Sequence, residues 1–233
     1  MLKVKLNCDT VSRALWEQIF CNASHIIDDA TESLRQQAIE QERLRRNADL
    51  NTGSIGLSSA MALFLVTRAQ TPGVVIEVGT FIGRSTRAMS LAMSQCELPS
   101  STIYTCDYSN NLEIPAEENV TIEQFKKTSS TEMFQTLIAR DVKADLVFLD
   151  GRLGDTDAKL LASLVKANTI YLLDDFEGIE KGVCNSLKLE TFLSRSHFLV
   201  YPPQQDLLSR YRFSERCTMG AWIPISSIGL SRQ

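Results

Sequence analysis

From Val74 onward, short apolar runs alternate with longer stretches of helical character. This rhythm constrains the fold of the 233-residue chain more than any other feature. The run VVIEV (74–78) precedes GRSTRAMSLAMSQC, and STIYTC (101–106) follows. NVTIEQF (119–125) precedes STEMFQTLIAR, ADLVFLD (144–150) precedes DTDAKLLASLVKA, and NTIYLLDD (168–175) comes next. Strands this short and apolar are covered on both faces, and parallel neighbours need a crossover between them. The pattern predicts a doubly wound α/β fold with a mostly parallel sheet. After residue 196 two further runs, HFLVYPP and CTMGAWIPI, stand without a clear helix between them. They predict an antiparallel hairpin at one sheet edge.

The first fifty residues read differently. Residues 10–47 have helical character, with Thr10 placed to cap VSRALWEQIFCNA. The stretch from Asp28 to Arg46 carries acids early and arginines late, which suits the helix dipole. Its apolar positions are sparse, so residues 1–50 are expected to form a solvated helical extension lying on a main domain of residues 51–233. LNTGSIG (50–56) is a break, and LSSAMALFLVTRAQ reads as a buried helix.

Composition narrows the function. The formal charge is −4, so no basic excess exists to neutralise phosphates, and neither nucleic acid nor an anionic membrane is expected as partner. The longest apolar run, AMALFLV, is far too short to span a bilayer. The six cysteines form no CxxC pair, and the N-terminus lacks the apolar core of a signal peptide. A cytoplasmic protein acting on a small molecule, as a monomer or a homo-oligomer, is the expectation.

The turn after the first strand is Gly79-Thr80-Phe81-Ile82-Gly83. Glycine is expected there because a ligand at the strand ends must approach the backbone closely. The spacing is GxxxG rather than GxGxxG, which argues against an NAD-dependent oxidoreductase. Glu77 lies within the strand, where it can hold an ammonium or order the turn. Asp107 ends the next strand, where an acid can accept both hydroxyls of a ribose. A nucleoside with an amino-acid-like tail fits this set, as in S-adenosylmethionine.

The stretch EVGTFIGRST resembles the cofactor loop of class I S-adenosylmethionine-dependent methyltransferases, most closely the small-molecule O-methyltransferases of the catechol and macrocin types. Their loop form, E-x-G-x-x-x-G-x-S, is met by Glu77, Gly79, Gly83 and Ser85. The resemblance spans roughly residues 52–182. It implies a Rossmann-like seven-stranded sheet whose last strand is antiparallel. It also implies that Glu77, Gly79, Thr80, Gly83 and Ser85 hold the cofactor, Asp107 its ribose, and Ser130 its adenine, with Ser129 as the alternative. Asn51 to Gly53 would close over it.

Asp150 ends the fourth strand, and Asp174 and Asp175 end the fifth. If those strands are neighbours, their ends lie about 5 Å apart. Three carboxylates so close repel one another unless a cation joins them, and oxygen ligands favour Mg²⁺ or Ca²⁺. Metal-dependent relatives place acids at the same strand ends. Asp150, Asp174 and Asp175 are therefore expected as metal ligands, with Asp150 also catalytic. One departure stands out. Relatives carry Lys, His or a second Asp just after the fourth-strand acid, whereas this chain has DGRLGDTD. Arg152 stays protonated and cannot serve as base. Asp155 or Asp157 could do so, or could cap the following helix. The expected activity is metal-assisted O-methylation of a small hydroxylated molecule; a cofactor-binding relative without that chemistry is the alternative.

Overall fold

The structure is a computed structural model and describes residues 8–48, 53–108 and 112–228. Seven strands form one sheet: β1 (Val74–Val78), β2 (Ser101–Asp107), β3 (Val120–Lys126), β4 (Ala144–Leu149), β5 (Val165–Leu173), β6 (His197–Val200) and β7 (Gly220–Pro224). Their order is β3-β2-β1-β4-β5-β7-β6. The first five run parallel, and β7 pairs antiparallel with both β5 and β6. The fold is thus the Rossmann-like, mostly parallel sheet with an antiparallel edge that the sequence predicts.

The central strands β1 and β4 and the second half of β5 are mostly apolar because both faces are covered. Val75, Leu146, Phe148, Ile170 and Leu172 point into one core, while their neighbours Ile76, Val147, Leu149, Tyr171 and Leu173 point into the other. Alternate residues of a strand face opposite sides, so each strand supplies both cores. The helices are α1 (Cys8–Asn22), α2 (Ile27–Leu44), α3 (Leu57–Gln70), α4 (Arg84–Ser94), α5 (Ser130–Ala139), α6 (Asp157–Ala162), α7 (Lys181–Leu193) and α8 (Gln205–Arg210). Every residue of α3 from Ser58 to Thr67 is buried. A helix apolar on all sides is one enclosed on all sides. The enclosing layer includes α1 and α2, whose Trp16, Phe20, Ile27, Ala30 and Leu34 join the same core as the sheet.

Several details differ from expectation. Helix α1 already begins at Cys8, so Thr10 lies in its first turn rather than capping it. The run SLVKA is not helical: α6 stops at Ala162, and Val165 begins β5, where pairing with β4 outweighs local helix propensity. Helix α7 occupies a stretch for which the sequence pattern predicts no element. The late hairpin contains α8 between its strands, and β7 inserts between β5 and β6. The boundary placed at residue 50 lies outside the described residues. Among the described residues, no helix is long and apolar enough to cross a membrane.

Candidate functional site

Chain order reverses between β1 and β4, which are neighbours, and a crevice opens beyond their carboxyl ends. The turn after β1 forms its floor. Gly79 N–H and Thr80 N–H donate to the carbonyl of Cys106 at 2.9 and 3.3 Å. Gly79 has φ of 101°, and a Cβ there would sit 2.8 Å from the amide nitrogen of Gly151 and 2.9 Å from the carbonyl carbon of Asp150. The glycine lets the turn after β1 lie directly against the turn after β4. The group that a side chain would meet there is the chain's own backbone.

Glu77 is fully buried. Ser85 Oγ donates to one carboxylate oxygen at 2.5 Å and Thr86 Oγ1 to the other at 2.6 Å. Burial raises its pKa, and these hydroxyl bonds only partly oppose the rise. Of the two roles open to Glu77, ordering the turn is the one seen: it fastens the start of α4 to β1. Thr80 is likewise engaged, with its hydroxyl 2.5 Å from that of Thr105. Glu77, Thr80 and Ser85 thus lie beneath the loop. Gly83 caps α4 with φ of 78°, and its carbonyl accepts from Gln41 Nε2 at 2.5 Å. The guanidinium of Arg45 lies 5.0 Å above the ring of Phe81. The end of α2 therefore braces the loop from outside, a contact that no motif announced.

Gly79, Asp107 and Ser130 do line a common slot, with Tyr108, Thr128 and Arg152, of about 90 Å³. The Asp107 carboxylate accepts the backbone N–H of Phe81 at 2.9 Å. Ser130 donates to Asp157 at 2.5 Å. Ser129 is spent on a capping box with Glu132 at the start of α5, so Ser130 is the serine at the slot. Buried Asp157 also accepts from Thr131 Oγ1 at 2.5 Å and Gly154 N at 2.6 Å, and Asp155 faces Lys188 at 3.2 Å. Asn51 and Thr52 lie outside the described residues.

The acids at the strand ends do not form the expected metal centre. Lys181, the first residue of α7, places its ammonium against Asp150 Oδ1 and 3.1 Å from Asp175 Oδ2. Asp174 instead accepts from Thr218 Oγ1 at 2.7 Å, held by β7's approach. Among the described residues, no group of three or more His, Cys, Asp or Glu side chains could hold an ion. Asp150, Asp174 and Asp175 are corrected accordingly: two share a lysine and the third turns to a threonine. Burial and the charge of Asp174 raise the Asp150 pKa to about 7, against the pull of Lys181. Burial also raises Asp174. Burial alone would lower Lys181, but the charges and hydrogen bonds of Asp150 and Asp175 leave it raised and protonated.

Beside these acids lies a cavity of about 600 Å³, lined by Phe176, Glu177, Pro202, Gln205, Arg216 and Thr218 among others. Trp222 is a core residue whose Nε1 donates to buried Ser186, and half-buried Tyr211 packs against the core with its ring 5.1 Å from that of Phe20.

A Rossmann-like sheet with a narrow slot at its switch point defines the fold class. The sequence matches no protein-family model and no curated protein. Solved structures share the fold. One is the O-methyltransferase from Bacillus cereus in complex with SAH, with TM-score 0.52 and 11% identity over 87% of this chain and 97% of that one. Another is the O-methyltransferase TomG from Streptomyces achromogenes, involved in tomaymycin synthesis and in complex with SAM. It gives TM-score 0.51 and 13% identity over 85% of this chain and 88% of that one. At this level of identity the likeness establishes the fold.

Proposed function

We propose that the chain is an S-adenosylmethionine-dependent methyltransferase acting on a hydroxyl group of a small molecule. The observation that carries this reading is the slot at the switch point, where Asp107 and the bare turn at Gly79 meet. An acid at the end of β2 is suited to a ribose diol, and Ser130 stands where a base edge would lie. The methyltransferase fold of the two neighbouring structures, one holding SAH and the other SAM, supports the same cofactor.

The residues present suit that cofactor by chemistry, although the slot of about 90 Å³ takes in only part of it. Asp107 would hold its ribose, and the backbone of Gly79 and Thr80 would line its amino-acid end. When bound, the cofactor supplies a methyl group on a positively charged sulfur. The larger cavity beside Thr218 is the place for the acceptor; Thr218 bonds Asp174, whose strand-end neighbour Asp150 pairs with Lys181. These two side chains would orient the acceptor hydroxyl, and the walls of the cavity would exclude water. Metal assistance finds no support in the side chains, since Lys181 stands among the acids.

Calorimetric titration with S-adenosylhomocysteine and with NAD tests the reading. Dissociation constants in the micromolar range, roughly −8 kcal/mol, are expected for the first, with no comparable binding of NAD. Tighter binding of NAD would overturn the assignment.

A further inference from the structure

We infer that Lys181 is a built-in cation that takes the position a divalent ion would otherwise hold, so that this site works without one. The inference rests on the methyltransferase reading and deepens it. Its basis is the arrangement of Lys181 against Asp150 and Asp175.

Three carboxylates end two adjacent parallel strands, and such a cluster requires positive charge to stay ionised. The positive charge here is covalent. Lys181 reaches Asp150 across 31 residues of sequence and Asp175 across the start of α7. Its position is not one that helix stability would select. A cation in the first turn opposes the helix dipole, and α7 has no side-chain cap to compensate. The next residue fixes the approach. A Cβ on Gly182 would lie 2.2 Å from the carbonyl oxygen of Asp174 and 2.9 Å from the Asp175 backbone. Only glycine lets α7 begin so close to the end of β5, and that closeness brings the lysine over the acids.

The lysine is also reachable. Its side chain is 28% exposed, against 13% for Asp150. An ammonium has three N–H donors, and the two carboxylates use two of them. The third is left for an acceptor oxygen. That is the contact a metal ion would make, supplied by a donor that chelators cannot remove.

The test is a metal titration on the full chain, read by Mn²⁺ paramagnetic resonance and by melting temperature in Mg²⁺ or chelator. Wild-type protein should bind no Mn²⁺ at this site, and its melting temperature should be equal in Mg²⁺ and in chelator. Lys181→Ala and Lys181→Met should each gain one Mn²⁺ site and an upward melting shift in Mg²⁺. Adding Asp150→Asn to either should remove that gain. Lys181→Met retains most of the lysine stem, so it keeps the test open should the alanine variant fold poorly. Stoichiometric Mn²⁺ binding by wild type, lost in Asp150→Asn, would overturn the inference, and so would folded lysine variants that gain no site. Titration with S-adenosylhomocysteine on the same samples is independent of these readouts. Its failure would strike the methyltransferase reading alone.

Discussion

The carboxylate of Asp107 accepts the backbone N–H of Phe81 at 2.9 Å, tying the end of β2 to the middle of the β1–α4 turn. One carboxylate oxygen thus orders the loop while the group as a whole lines the slot. Phe81 has φ of 43°, a backbone conformation that a large side chain adopts only when its surroundings hold it there.

Asp107→Ala should therefore act twice, by removing the ribose partner and by loosening Phe81. Loss of a charge-assisted hydrogen bond costs about 1.5–3 kcal/mol. S-adenosylhomocysteine affinity measured by calorimetry should fall by roughly ten- to a hundredfold. A folded variant that binds as wild type does would place the cofactor elsewhere.

Gly79 should prove essential to the fold rather than to binding alone. A side chain there meets both an unfavourable φ and the backbone of Asp150 and Gly151. Gly79→Val should lower stability by about 2 kcal/mol or more, as strain of 1–3 kcal/mol at one residue adds to the displacement of β4's end. Urea denaturation checks this. A variant with an unchanged midpoint that has lost only ligand binding would restore the simpler role for this glycine.

Stability should fall as pH rises across the mildly acidic range. Asp150 has its pKa raised from 3.8 to about 7, and Glu77 and Asp174 are raised as well, each chiefly by burial. A carboxyl whose pKa is higher folded than unfolded holds its proton more tightly in the fold. Its contribution is complete below the unfolded pKa and is lost as pH climbs through the folded one. For Asp150 that window runs from about pH 4 to about pH 7. Glu77→Gln and Asp150→Asn keep the side-chain shape and remove the titration, so each should flatten the decline. Urea midpoints collected across this range decide it, and identical slopes in all three proteins would show that the proton uptake occurs elsewhere.

The sheet was legible in the sequence because its cause is local. A strand covered on both faces must be apolar at every position, and VVIEV and ADLVFLD report this directly. Gly79 and Asp107 were legible as well, since both stand at strand ends, and parallel strands bring their carboxyl ends to one edge. Glu77 was legible as an exception to the apolar rule, although its two roles could not be separated until Ser85 and Thr86 were seen to occupy both oxygens.

The chemistry of the acid cluster was decided by tertiary structure alone. Strand counting placed Asp150 beside Asp174 and Asp175 correctly, yet it could not say which way each carboxylate turns. That depends on what the next elements carry across the strand ends. Thr218 reaches Asp174 from 44 residues away, Lys181 reaches Asp150 from 31, and Gln41 reaches Gly83 from 42. None of these pairs shares a local pattern, because each joins a side chain to a surface that exists only once α2, α7 or the lead into β7 has docked. Periodicity records which face of an element is buried. The partner of a polar group is set by the rigid placement of elements distant in sequence, and here that placement put an ammonium where the spacing of acids suggested a metal.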